Sequence, residues 1–195
     1  MATKCVHWSR AMSIPVLAVL VGLAAAASAF ADVETFHRFE AIAVANNTVA
    51  VQCDDGSTVR QLVTVIGGHE EESESGVTTL DSDFLTVLLR GVDCDGSFLS
   101  DRGSGPAEFA FSPSLQTASV TGTITTRADR SVTVGMSWEG TGAMTTTNNT
   151  TIFPGFTGHF KGQQRDAVAT GTVVVDNATI VDGPTTNAEI ETLED

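Results

Sequence analysis

From Ser131 to Trp138 the chain alternates without a break, with Val132, Val134, Met136 and Trp138 on one parity and Ser131, Thr133, Gly135 and Ser137 on the other. Successive side chains of a strand point to opposite faces, so a period of two describes a half-buried strand and no amphipathic helix. The string Val120-Thr121-Gly122-Thr123-Ile124-Thr125-Thr126 precedes it, and Ala128-Asp129 sits between the two runs where a tight hairpin turn belongs.

Other β-rich runs are set apart by short polar or glycine punctuation. Glu40 to Ala45 and Thr48 to Cys53 flank Asn46-Asn47, a pair that tolerates positive φ and is expected to turn the chain. Asp54-Asp55-Gly56 leads into Thr58 to Ile66, and residues 67–76 read as a glutamate-rich loop. Phe84 to Val92 ends at Cys94-Asp95-Gly96, and Ala107 to Ser112 alternates around Phe109 and Phe111. Asp166 to Val175 and Ala178 to Val181 complete the set. About nine or ten short strands without an intervening helix imply an all-β, single antiparallel domain. Gly122 and Gly171 interrupt strand-like strings, as glycine does where a strand bends or backbones approach closely. That curvature favours a barrel-like meander over a two-sheet sandwich.

The N-terminus reads differently. Lys4 and Arg10 precede an apolar run from Ala11 to Ala27, small residues follow, and the first acid is Asp32. This is the order of a secretory signal peptide, and Pro15 with the small-residue end fits cleavage rather than a retained anchor. Three segments are therefore expected: a cleaved leader over 1–31, an all-β domain over 32–181, and an acidic C-terminal tail over 182–195, read as a frayed, solvated end in which Ile190 and Leu193 leave room for a last docked strand or turn.

Removing the leader takes 10 Lys and Arg to eight against 24 Asp and Glu, so a formal charge of −14 becomes −16. Partners that need a basic patch, such as nucleic acid or anionic membrane, are not expected. No membrane span is expected after cleavage, and with no Tyr and Trp138 as the one remaining Trp, a transmembrane barrel lacks its aromatic girdles. Cys5 leaves with the leader, and Cys53 and Cys94 remain as a pair suited to a disulfide in an oxidising compartment.

Candidate sites are few. His37, His69 and His159 are far apart and lack metal-ligand spacing, so no metal or cofactor is expected. Aspartates crowd both cysteines, yet their spacing fits turn chemistry better than a calcium loop. Gly103-Ser104-Gly105-Pro106 reads as a loop and not a nucleophile elbow, and no catalytic residue is assigned. Trp138 shares a face with three apolar residues and reads first as core. Phe153 and Phe156, beside Pro154-Gly155 after the polar tract Thr145 to Thr151, could line the mouth of an apolar pocket together with Trp138.

The expected function is an exported, secreted, non-enzymatic β domain that binds a small apolar ligand or a protein partner. Two alternatives remain. One is a small extracellular hydrolase assembled from remote acids and histidines; the other is a structural envelope protein joined through sheet edges.

Overall fold

The inward parity of Ser131 to Trp138 recurs on nearly every strand of the structure, a computed structural model that describes residues 36–153 and 156–195. The expected leader over 1–31 lies outside the described residues. Eleven strands form one antiparallel sheet, and none of the described residues is helical. They are β1 (Phe36–Gln52), β2 (Thr58–Glu74), β3 (Val77–Val92), β4 (Phe98–Pro106), β5 (Glu108–Phe111), β6 (Thr117–Thr125), β7 (Ser131–Gly140), β8 (Thr145–Phe153), β9 (Phe156–Val175), β10 (Ala178–Asp182) and β11 (Thr185–Glu194).

Their order is β4-β3-β2-β1-β11-β9-β7-β6-β5, with β8 and β10 also paired to β9. The sheet rolls over so that one face of β1, β2 and β3 packs against the same face of β6, β7 and β9. Ala43, Val65, Leu85, Leu89, Val120, Val132 and Trp138 belong to one continuous buried cluster. Each Val or Leu fully buried this way contributes roughly 1.5–3 kcal/mol.

The expected closure into a barrel is corrected: the sheet is rolled but open. Its two edges, β4 and β5, are consecutive in the chain and separated only by Ala107. β5 occupies the outer edge of β6 from Ala118 to Thr121. β4 therefore meets the β6 line only past its end, in one bridge between Gly103 and Thr126 and a backbone bond from Arg127 N to Arg102 O at 2.9 Å. Both mid-strand glycines have a steric reason. A Cβ on Gly171, at φ +146°, would lie 2.1 Å from the carbonyl oxygen of Gly135; one on Gly122 would lie 3.1 Å from Ala107 Cβ, at the bend between β4 and β5.

Several expected turns and loops are strand. Asn46-Asn47 does not turn: β1 runs straight through, with Asn46 opposite Thr64 and Asn47 opposite Val63. The Asn46 side-chain oxygen accepts from Thr64 Oγ1 at 2.7 Å, and the Asn46 carbonyl accepts from Thr185 Oγ1 at 3.0 Å. Long-range pairing thus overrides a local turn preference. Residues 67–76 are not a loop, because β2 continues to Glu74 between β1 and β3 and the turn is only Ser75-Gly76. Gly103 to Pro106, read as a loop, is the end of β4.

The largest correction concerns the acidic tail. Thr185 to Glu194 is β11, which pairs with β1 on one side and β9 on the other and joins the two halves of the sheet. Ala188 and Ile190 are buried on its inner face, while Glu189 and Glu191 point to the outer one. Alternating acids with small and apolar residues is the pattern of a half-buried strand, and the charge total of the segment concealed it.

Candidate functional site

Of the expected site residues Trp138, Phe153 and Phe156, the first lies in the core and the other two on a hairpin. Trp138 is 1% exposed and donates from Nε1 across the core to the carbonyl of Val44 at 2.9 Å, so it offers no free ring face. Phe153 and Phe156 are backbone partners at the end of the β8–β9 hairpin, and Pro154-Gly155 between them lies outside the described residues. Cys53 and Cys94 form a disulfide with Cα atoms 5.5 Å apart.

The aspartates beside that bond shape its turns. Asp55 and Asp95 each accept the backbone N–H two residues on, from Ser57 and Ser97 at 2.8 Å. Hydrogen bonding from the Ser57 and Ser97 side chains, and then from these backbone groups, holds both carboxyls below their ordinary value. Asp93 pairs with Arg130 at 3.1 Å. Among the described residues no three or more His, Cys, Asp or Glu side chains stand close enough to hold a metal ion.

His37 and His159 are exposed and lie on different hairpins, whereas His69 has a carboxylate partner. Its Nδ1 is 2.8 Å from Asp83, whose other oxygen accepts from Phe109 N at 3.2 Å. The ring lies beside Phe39, which stacks on Phe111. A histidine and an orienting acid are therefore paired, and among the described residues no hydroxyl or thiol is hydrogen-bonded to the imidazole.

A more distinctive constellation lies on the outer face of β2, β3 and β4, toward the disulfide. Leu62 stands opposite Arg90, and Arg90 opposite Ser100; Leu88 faces Arg102, and Val92 faces Phe98. Arg60 shares the face of Leu62, two residues away. Cations and apolar groups thus alternate across three strands. Phe98 is 77% exposed and Val92 44%. The outward positions from Thr58 to Ile66, Phe84 to Val92 and Phe98 to Pro106 carry no acid. Among the described residues Arg60, Arg90, Arg102 and Arg127 form no salt bridge, while Arg38, Arg130 and Lys161 do. Beside this face a groove of about 500 Å³ runs along the β4 edge, lined by Thr86, Arg102, Ser104, Thr125 and Arg127.

The net charge hid this surface. Its signal in the sequence is parity: Arg60-x-Leu62, Leu88-x-Arg90-x-Val92 and Phe98-x-Ser100-x-Arg102 place every one of these side chains outward once the inner valines and leucines are assigned.

The acids gather elsewhere on the outer face. Glu40 is opposite Glu70 in β2, and Glu191 lies opposite Ile42 of β1 and Gln164 of β9. Arg38 reaches Glu40, Glu70 and Glu72. Burial pushes the Glu40 carboxyl above its ordinary 4.5, with Arg38 opposing and Glu70 adding to the shift. Burial likewise raises Glu191, helped by Glu189 and Glu40.

A raised carboxylate binds its proton more tightly in the folded chain, so its ionisation opposes folding. Stability should fall as pH rises from 4.5 through the raised values. Asp55 and Asp95 act in the opposite sense, their stabilisation being lost as pH falls below 3.8. Glu191→Gln is therefore expected to raise the melting temperature at neutral pH and to lose that advantage below 4.5. Thermal melts of both proteins across this range check it, and a difference independent of pH would count against the assignment.

No helix among the described residues is long and apolar enough to cross a membrane. Comparison with family models, with curated proteins and with solved structures finds no match.

Proposed function

We propose that the protein is an exported, non-enzymatic interaction module, and that the outer face carrying Arg60, Leu62, Arg90, Val92, Phe98 and Arg102 docks an acidic, partly apolar protein surface. The observation that carries the reading is the concentration of salt-bridge-free arginines beside exposed apolar side chains, without one acid, on a chain of charge −14. Scattered exposed hydrophobics are ordinary, whereas an aromatic and guanidinium groups on one patch are the composition of interface cores. Leu62, Val92 and Phe98 favour a protein partner over a polyphosphate, which would leave their apolar area wet. Export is supported by the leader-like N-terminus and by the Cys53–Cys94 disulfide. The interior is filled by Trp138, Leu85, Leu89 and their neighbours, so the reading rests on a surface and not on an internal cavity.

A labelled peptide alternating glutamate with leucine and phenylalanine is a direct probe, its binding followed by fluorescence anisotropy. It should bind in low salt and weaken as salt rises, because rim charges are screened. The triple variant Arg60→Glu, Arg90→Glu, Arg102→Glu should bind it at least about tenfold more weakly, as expected for losing several charge-assisted contacts. Equal binding by the native and triple-variant proteins would overturn the assignment.

A further inference from the structure

A sheet edge displays unpaired backbone donors and acceptors, and folded proteins guard such edges with charge, proline, glycine kinks or short length. The edges of β4 and β5 are guarded in this way. β4 holds the buried, inward-pointing Asp101 together with Arg102, Gly103 and Pro106, and β5 has only four residues, the first being Glu108. β8 has none of these devices. From Thr145 to Phe153 it is Thr-Thr-Thr-Asn-Asn-Thr-Thr-Ile-Phe, without a charge, a proline or a glycine.

Placement makes the contrast sharper. β8 continues the line of β7 along β9: Gly140 is opposite Ala167 and Thr145 is opposite Gln164. β6, the other neighbour of β7, stops with Thr117 opposite Glu139. Among the described residues β8 pairs with β9 alone, and its second edge is clear of the body of the sheet. Every residue from Thr145 to Thr150 is exposed, so neither face of this stretch is covered. A strand with both faces and one edge in water gains little from its own hairpin.

The charge around it is just as distinctive. No Asp or Glu occurs between Glu139 and Asp166, although the chain has 24 acids. The repulsion that keeps strongly acidic copies apart is therefore weakest at this hairpin.

We infer that β8 is a self-association edge: it pairs antiparallel with β8 of a second copy, joining two sheets across a two-fold axis. A second copy is the occupant that the sequence favours. Antiparallel pairing of this segment with itself sets Thr and Asn against Thr and Asn, pairs that stabilise a sheet, and brings no like charges together. A two-fold pairing also consumes both free edges and closes, so the product is a dimer and not a fibre. This surface is separate from the arginine face and does not depend on its role.

The test is the mass of the protein lacking its leader, measured by light scattering on a sizing column from low micromolar to millimolar concentration. The native protein is expected to shift to twice its monomer mass. Thr147→Lys with Asn149→Lys should remain monomeric with an unchanged melting temperature, and so should Thr147→Glu with Asn149→Glu. Mixing these two variants should restore the doubled mass. A native protein that stays monomeric throughout overturns the inference. So does a dimer that survives the lysine pair, and so does one abolished instead by Arg60→Glu, Arg90→Glu, Arg102→Glu, which would place the contact on the other face.

Discussion

Trp138→Ala should cost about 3–5 kcal/mol, the range for deleting a large buried aromatic whose cavity collapses only partly. The site gives little room for collapse. Trp138 is flanked across the sheet by Ala118 on β6 and Ala169 on β9, so the indole fills space that both neighbours leave empty. It then reaches over the core to β1, where Ala41, Ala43 and Ala45 form a second small-residue row. Its Nε1 donates to Val44 O at 2.9 Å, and removal of the ring deletes that bond as well. Trp138→Phe separates the two contributions: it keeps most of the volume and should cost about 1–3 kcal/mol, chiefly through the lost hydrogen bond. At roughly 2–4 °C per kcal/mol for a domain of this size, the alanine variant should melt about 6–20 °C lower. Urea unfolding followed by circular dichroism gives both values. An alanine variant within 1 kcal/mol of the parent would mean that the indole does not hold the two halves of the sheet together.

That role was half legible in the sequence. The parity of Ser131 to Trp138 put Trp138 on the buried face, and β7 formed as read, because a strand whose inner residues are all large and apolar has one workable register. What could not be read was the partner across the core, since nothing local links Trp138 to Val44. The misread elements share the same cause. Asn46-Asn47 has turn chemistry, yet it lies inside a strand because β2 and β11 supply bonds from both sides. Thr185 to Glu194 carries too much charge to look like a central strand, but Glu189 and Glu191 lie on its outer parity and Glu194 at its very end. The open edge also follows from tertiary placement: β5 holds the edge of β6 that β4 would need for closure, and no periodicity reports which of two strands takes an edge. For the surface the loss was one of averaging. A total of −14 sums an acid-free arginine face with a glutamate-rich one, and only the assignment of inner and outer residues separates them.

Breaking the disulfide is the second change with a large expected effect. Cys53 opens the turn between β1 and β2, Cys94 lies in the turn between β3 and β4, and 41 positions separate them. Closing a loop of that length removes conformational freedom from the unfolded chain worth roughly 4 kcal/mol, an upper value where the reduced chain keeps residual structure. Cys53→Ala with Cys94→Ala should therefore melt about 8–16 °C below the parent. Reduction of the native protein should reproduce that shift without any change of side-chain volume. The two turns need the bond less for their own shape than for their relation. Each closes internally, with Cys53 N bonded to Ser57 O and Asp93 N to Ser97 O, both at 2.9 Å. The bond instead fixes one turn beside the other at the end of the sheet where Arg60, Val92 and Phe98 sit. Hydrogen exchange should accordingly speed up first at residues 58–62 and 90–98 in the reduced protein, while the Trp138 region keeps its protection until global unfolding. Binding of the acidic probe peptide should weaken in parallel with that local loosening. Loss of stability spread evenly over all strands, with the arginine face still fully competent, would show that the bond acts only on the unfolded chain.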